Sequence, residues 1–125
     1  MVKTQNSFRI IRKDSDAAWC SFVYNAPLKE GKTNGFMIRQ TKTCYKNIMY
    51  GIGTSDIFGL NNSYKDKFSL TYNAYSGNIW EKESSRKSGS SIYDGQAIAM
   101  DVNLQNYTVS WSVDGKKMGE ALISE

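Results

Sequence analysis

The sequence predicts an all-β fold, a two-sheet antiparallel β-sandwich, and three observations carry that reading. Apolar and polar residues alternate with period 2 along most of the chain, and no long stretch shows the 3.6 period of an amphipathic helix. The runs that alternate are short, rich in β-branched and aromatic residues, and separated by polar pieces that favour turns. Finally, 125 residues with 40% apolar content suffice for one core and leave no room for two. Less than about a tenth helix is expected, against a usual third.

The C-terminal elements read most clearly. Tyr107, Val109, Trp111 and Val113 point one way, and Thr108, Ser110 and Ser112 the other. Ile98, Met100, Val102 and Leu104 alternate in the same manner just upstream, so Gln105-Asn106 joins a hairpin. Asp114-Gly115 favours a tight primed turn, with Lys116–Ser124 as the return strand. Earlier strands are expected at Phe8–Arg12, Ala17–Tyr24, Gly35–Lys42, Asn47–Gly53, Phe68–Asn73 and Asn78–Lys82. Between them lie three polar loops, Asn25–Asn34, Thr54–Lys67 and Glu83–Ser91, the last read as a mobile surface loop. Trp111, Tyr107 and Trp19 sit in alternating apolar strands and are assigned to the core.

The order of features from residue 47 onward resembles the SPRY (B30.2-like) family. Asn47-Ile-Met-Tyr-Gly-Ile-Gly53 is similar to a family strand ending in an Ile-Gly pair. Ser69-Leu-Thr-Tyr72 and Tyr75-Ser-Gly-Asn-Ile-Trp80 resemble its aromatic strand, glycine turn and following strand. Tyr93-Asp-Gly-Gln-Ala-Ile-Ala-Met-Asp-Val102 stands where the family has an aromatic, Gly-Asp, and an apolar strand ending in Asp. Val109-Ser-Trp-Ser-Val-Asp-Gly115 and Gly119-Glu-Ala121 are similar to its last strand, turn and Gly-x-Ala-Phe stretch. Trp19 through Arg39 fits the weaker opening pattern. Gln96 replaces the usual acidic residue, and Leu122 the usual Phe. The family normally continues through two further C-terminal strands after this point; either this is a truncated or divergent member lacking them, or strands of the N-terminal region or a partner cover that sheet edge. The resemblance implies a concanavalin A-like sandwich over residues 17–125, with 1–16 as an N-terminal extension or first strand. It further implies partner binding through loops and no catalysis.

The residues themselves bear on chemistry independently. Histidine is absent, which removes the commonest general base and every triad built on it. Cys20 and Cys44 therefore lack their usual activating partner, and no His/Cys cluster is spaced for a metal. Glu81 and Glu83 lie two apart, as in sandwich glycosidases that carry paired carboxylates on one strand face, but no third acidic residue follows. No cofactor is implied. Two cysteines suit reduced thiols in the cytoplasm, and no apolar stretch is long enough to span a membrane.

Net charge is +4, unevenly spread: residues 1–50 hold nine Lys/Arg against three Asp/Glu, and residues 51–125 hold seven against nine. The basic residues are scattered and do not interleave with aromatics along one strand, which argues against nucleic acid. Instead the polar loops offer amphipathic rings and amides suited to a peptide backbone. Candidate contact residues are Phe58, Asn61, Asn62, Tyr64, Lys65, Tyr72, Tyr75, Arg86 and Lys87, on loops expected to converge at one end of the sandwich. For Tyr72, Phe58 and Tyr64, packing beneath a loop is the competing assignment. The reading is a protein- or peptide-binding module, alone or as one subunit of an assembly, with a carbohydrate-binding lectin-like domain as the alternative.

Overall fold

The computed structural model describes residues 28, 33–40, 48–54 and 69–123. These form eight strands and no helix, in two antiparallel four-stranded sheets. In chain order the strands are β1 (Thr33–Arg39), β2 (Met49–Gly53), β3 (Ser69–Asn73), β4 (Asn78–Glu81), β5 (Ser84–Lys87), β6 (Ala97–Asn103), β7 (Thr108–Val113) and β8 (Lys116–Leu122). The first sheet runs β1-β6-β7-β8 and the second β2-β3-β4-β5. The strands expected at 8–12 and 17–24, and the segment 1–16, lie outside the described residues.

Alternation fixes which face each strand buries. Along β6, Ile98, Met100 and Val102 are buried, and along β7, Val109, Trp111 and Val113. Because Met100 pairs with Trp111 and Val102 with Val109, these two sets share one face. Tyr50, Tyr72 and Ile79 meet them from the second sheet. The Tyr72 and Trp111 rings lie 6.1 Å apart between centroids, inclined at 33°. Trp111 also donates Nε1–H to the Tyr50 carbonyl at 3.1 Å, so the largest core ring ties the sheets with a directional bond as well as area.

The Asp114-Gly115 turn matches its prediction. Both residues have positive φ (51° and 79°), and Val113 pairs with Lys116 across them. Two expectations are corrected. Tyr107 is not a core residue: it takes φ 53° in the β6–β7 turn and is 51% exposed. Asn103 organises that turn, its Oδ1 accepting from the Gln105 and Asn106 amides, so β7 begins one residue later at Thr108. Glu83–Ser91 is not simply a loop either. Ser84–Lys87 forms β5, pairing with β4 from Asn78↔Lys87 to Glu81↔Ser84. Lys82 and Glu83 make the intervening turn, both at positive φ (48° and 66°).

The edge of β8 is closed by side chains. With Val109↔Ala121 and Trp111↔Gly119 in register, the main-chain groups of Met118 and Glu120 point away from β7. Ser88 donates its hydroxyl to the Met118 carbonyl at 2.8 Å, and Arg86 donates Nη2–H to the Glu120 carbonyl. Donors on and just after β5 thus close the seam between the two sheets.

Candidate partner-binding surface

The segment after β3 and the segment between β5 and β6 lie side by side as an irregular antiparallel junction. Asn73 closes β3 into a turn, its Oδ1 accepting from the Tyr75 amide at 2.8 Å and the Ser76 amide at 3.1 Å. Ile92 donates its amide to the Ala74 carbonyl at 2.7 Å, and Ser91 donates its hydroxyl to the Tyr75 carbonyl. The Ser88 and Gly89 amides both reach the Gly77 carbonyl. Ala74 and Ile92 are buried, so their neighbours Tyr75, Ser91 and Tyr93 fall on the outward side. Tyr75 is 59% exposed and Tyr93 67%.

A buried polar network supports this junction from beneath. Tyr72 donates its hydroxyl to the Ser90 carbonyl at 2.6 Å. Gln40, itself buried, gives its Nε2 amide to the Ile92 carbonyl (3.3 Å) and the Asp94 carboxylate (3.0 Å). Its Oε1 accepts from the Tyr50 hydroxyl at 3.1 Å. Burial, and then the Asp94 charge, push the Tyr50 hydroxyl up to about pKa 12, so it remains a donor at neutral pH. Burial likewise raises Tyr72. The Tyr93–Gln96 turn is closed by the Gln96 amide on the Tyr93 carbonyl and the Tyr93 amide on Gln96 Oε1. Arg39 donates Nη1–H to the Gly95 carbonyl at 2.7 Å.

The predicted contact residues separate accordingly. Tyr75 stands on the exposed surface as expected, and Lys87 borders it, its ammonium donating to the Ser76 carbonyl. Tyr72 is not a contact residue: it is 0% exposed, because β3 turns it inward against Trp111. Arg86 spans from Glu81 (3.1 Å) to the Glu120 carbonyl, an arrangement that assigns it to the seam between sheets. Phe58, Asn61, Asn62, Tyr64 and Lys65 lie outside the described residues, as do 25–27, 29–32 and 55–67, so the expected convergence of three loops does too. The carboxylate pair does not form on one strand face, since Glu83 occupies the β4–β5 turn while Glu81 engages Arg86. Tyr93 and Arg39 were not predicted as contacts. The available signal was a tyrosine immediately before the turn dipeptide Asp94-Gly95.

No protein-family model matches the sequence, and no curated protein matches it. Solved structures do. The SPRY domain of human HERC1 superposes with a TM-score of 0.61 at 19% identity, over 78% of this chain and 60% of that one. The chain therefore spans less than two thirds of that domain's length. A second human SPRY domain aligns with a TM-score of 0.47 at 14% identity, over 75% and 71% of the two chains. Together with the two antiparallel sheets, the first of these likenesses gives the architecture: the chain folds as a SPRY-like β-sandwich.

Proposed function

We propose that this SPRY-like sandwich is a non-catalytic interaction module of the cytosol that binds a peptide or protein through the surface around Tyr75, Ser91 and Tyr93. The observation that carries the reading is the exposure of two tyrosine rings whose own main-chain amides and carbonyls are hydrogen-bonded. Large rings on flexible loops lose much of their contact energy to ordering, whereas rings on fixed backbone give up only side-chain freedom. Tyrosine is also enriched among residues that dominate interfaces, because its body is apolar and its tip hydrogen-bonds. Among the described residues no group of three or more His, Cys, Asp or Glu is placed to hold a metal.

The test is affinity capture with the wild-type chain beside Tyr75→Ala and Tyr93→Ala variants. Both rings are solvent-facing, so each substitution should shift unfolding by under about 0.5 kcal/mol. Loss of an interface anchor should weaken a partner by about 2 kcal/mol, roughly thirtyfold. Undiminished capture by both stable variants would refute this surface.

A further inference from the structure

We infer that β1 pairs with the β1 of a second copy of this chain, antiparallel and about a two-fold axis, joining the two first sheets into one. The inference goes beyond the interaction reading above and uses neither Tyr75 nor Tyr93.

The edge of β1 differs from its counterparts. Among the described residues no strand lies on its far side. Gln40 donates its amide to the Gln96 carbonyl at 3.0 Å, and the register then runs back from Arg39↔Ala97 to Thr33↔Asn103. Antiparallel ladders alternate, so Ile38, Phe36 and Asn34 exchange bonds with β6. The main-chain groups of Thr33, Gly35, Met37 and Arg39 therefore face away from it. The β8 edge, by contrast, is closed by Ser88 and Arg86, and β5 is a strand of four residues, half of them basic. β1 has seven residues and no charge before Arg39, and its apolar side chains stand open: Met37 is 74% exposed and Ile38 38%. A long apolar edge of this kind invites another strand.

A second copy fits because β1 is complementary to itself. Centring the axis on Phe36 sets Thr33 opposite Arg39 and Gly35 opposite Met37. That register matches the whole strand and engages every outward main-chain group, in roughly eight bonds. An axis on Gly35 or Met37 would instead push one end of β1 past its partner. Side chains agree with this choice. The partner's Met37 arrives over Gly35, where a Cβ would have only Asp101 Oδ1 within 4 Å among the described residues, at 3.4 Å. The exposed Asp101 carboxylate thus reaches over the edge strand, and the partner's Arg39 stands on the diagonal from Gly35, within range of a long side chain. Opposite charges meet on each side of the axis, while the two arginines lie at opposite ends of the pairing. At the axis itself the two half-buried Phe36 rings meet on the core side.

The experiment is sedimentation velocity on the full chain from about 5 to 500 μM, since one strand edge makes a small, weak contact. The weight-average mass should rise from one chain to two and stop, because a two-fold contact closes on itself. Met37→Pro removes an outward N–H that β6 does not use, and Met37→Lys places a charge on the edge. Each should weaken the dimer at least about tenfold without moving the melting midpoint of the dilute chain. Should the proline variant fail to fold, the lysine variant decides. Amide exchange at Gly35 and Met37 should also slow as concentration rises, and at Phe36 and Ile38 it should not. A chain that stays monomeric throughout, or a mass that climbs past two, overturns the inference. So does a dimer that the folded variants form as tightly as the wild-type chain.

Discussion

Gly119 offers a stringent test of the seam between the sheets. It lies on β8 opposite Trp111, and a methyl group added there would sit 2.2 Å from Ser88 Oγ, 2.6 Å from Ile79 Cδ1 and 3.2 Å from Ser88 Cβ. Overpacking of this kind typically costs about 1–3 kcal/mol. Because one contact is so short, Gly119→Ala should fall at the upper end, about 2–3 kcal/mol. Ser88→Ala alone removes the donor to the Met118 carbonyl and should cost about 1 kcal/mol. The double variant lacks the colliding hydroxyl, and the end of the Ile79 side chain can swing aside. Its loss should therefore be smaller than the sum of the single losses by at least about 1 kcal/mol. Urea denaturation followed by tryptophan fluorescence measures all three, Trp111 being fully buried. If the two losses add to within about 0.5 kcal/mol, Ser88 is not the wall that Gly119 faces, and the described closure of β8 is wrong.

The β4–β5 turn places two non-glycine residues in the left-handed region, at about 1 kcal/mol each. Replacing Lys82-Glu83 by Asn-Gly, the pair this turn prefers, should stabilise by about 1–2 kcal/mol and raise the melting midpoint by several degrees. An unchanged midpoint would remove the turn. A second prediction concerns pH. Tyr50 has its folded pKa raised from an ordinary value near 10 to about 12, so its contribution is fully present below pH 10 and is lost as pH rises through 12. Between these limits the urea midpoint should fall more steeply for the wild-type chain than for Tyr50→Phe, and equal slopes would refute the assignment.

Much of the first sheet was legible in the sequence because its strands are buried on one face only. Ile98, Met100 and Val102, and Val109, Trp111 and Val113, alternate without interruption, and Asp114-Gly115 marks the turn that follows. β5 was not legible, for a physical reason. Ser84-Ser85-Arg86-Lys87 is exposed at every position, so it carries no apolar period and is held by its ladder to β4 and by polar bonds from Arg86 and Lys87. Tyr107 misled in the opposite sense: it continues the apolar alternation by one residue, but the Asn103 turn claims its backbone first. At the site, composition found Tyr75 beside its Asn and Ser neighbours, yet it could not separate Tyr75 from Tyr72. Only the pairing of β3 with β4, Tyr72 opposite buried Ile79, turns one ring inward and leaves the other out.

The placement of the cations explains why charge was a poor guide to the proposed surface. Arg39, Arg86 and Lys87 each direct a donor at a main-chain carbonyl, those of Gly95, Glu120 and Ser76. All three carbonyls lie in turns or at a strand edge, where the regular ladder supplies no partner. A long basic side chain meets that need from a distance while its head stays hydrated, and it discourages further strand pairing at the same edge. Arginine or lysine in a polar stretch is therefore ambiguous between contact and closure, and in this fold each of these three makes a closing bond. The Tyr75 and Tyr93 rings, by contrast, stand outside the core. On the proposed reading partner capture falls to Tyr75 and Tyr93, and substitution of the basic residues should be felt first in stability.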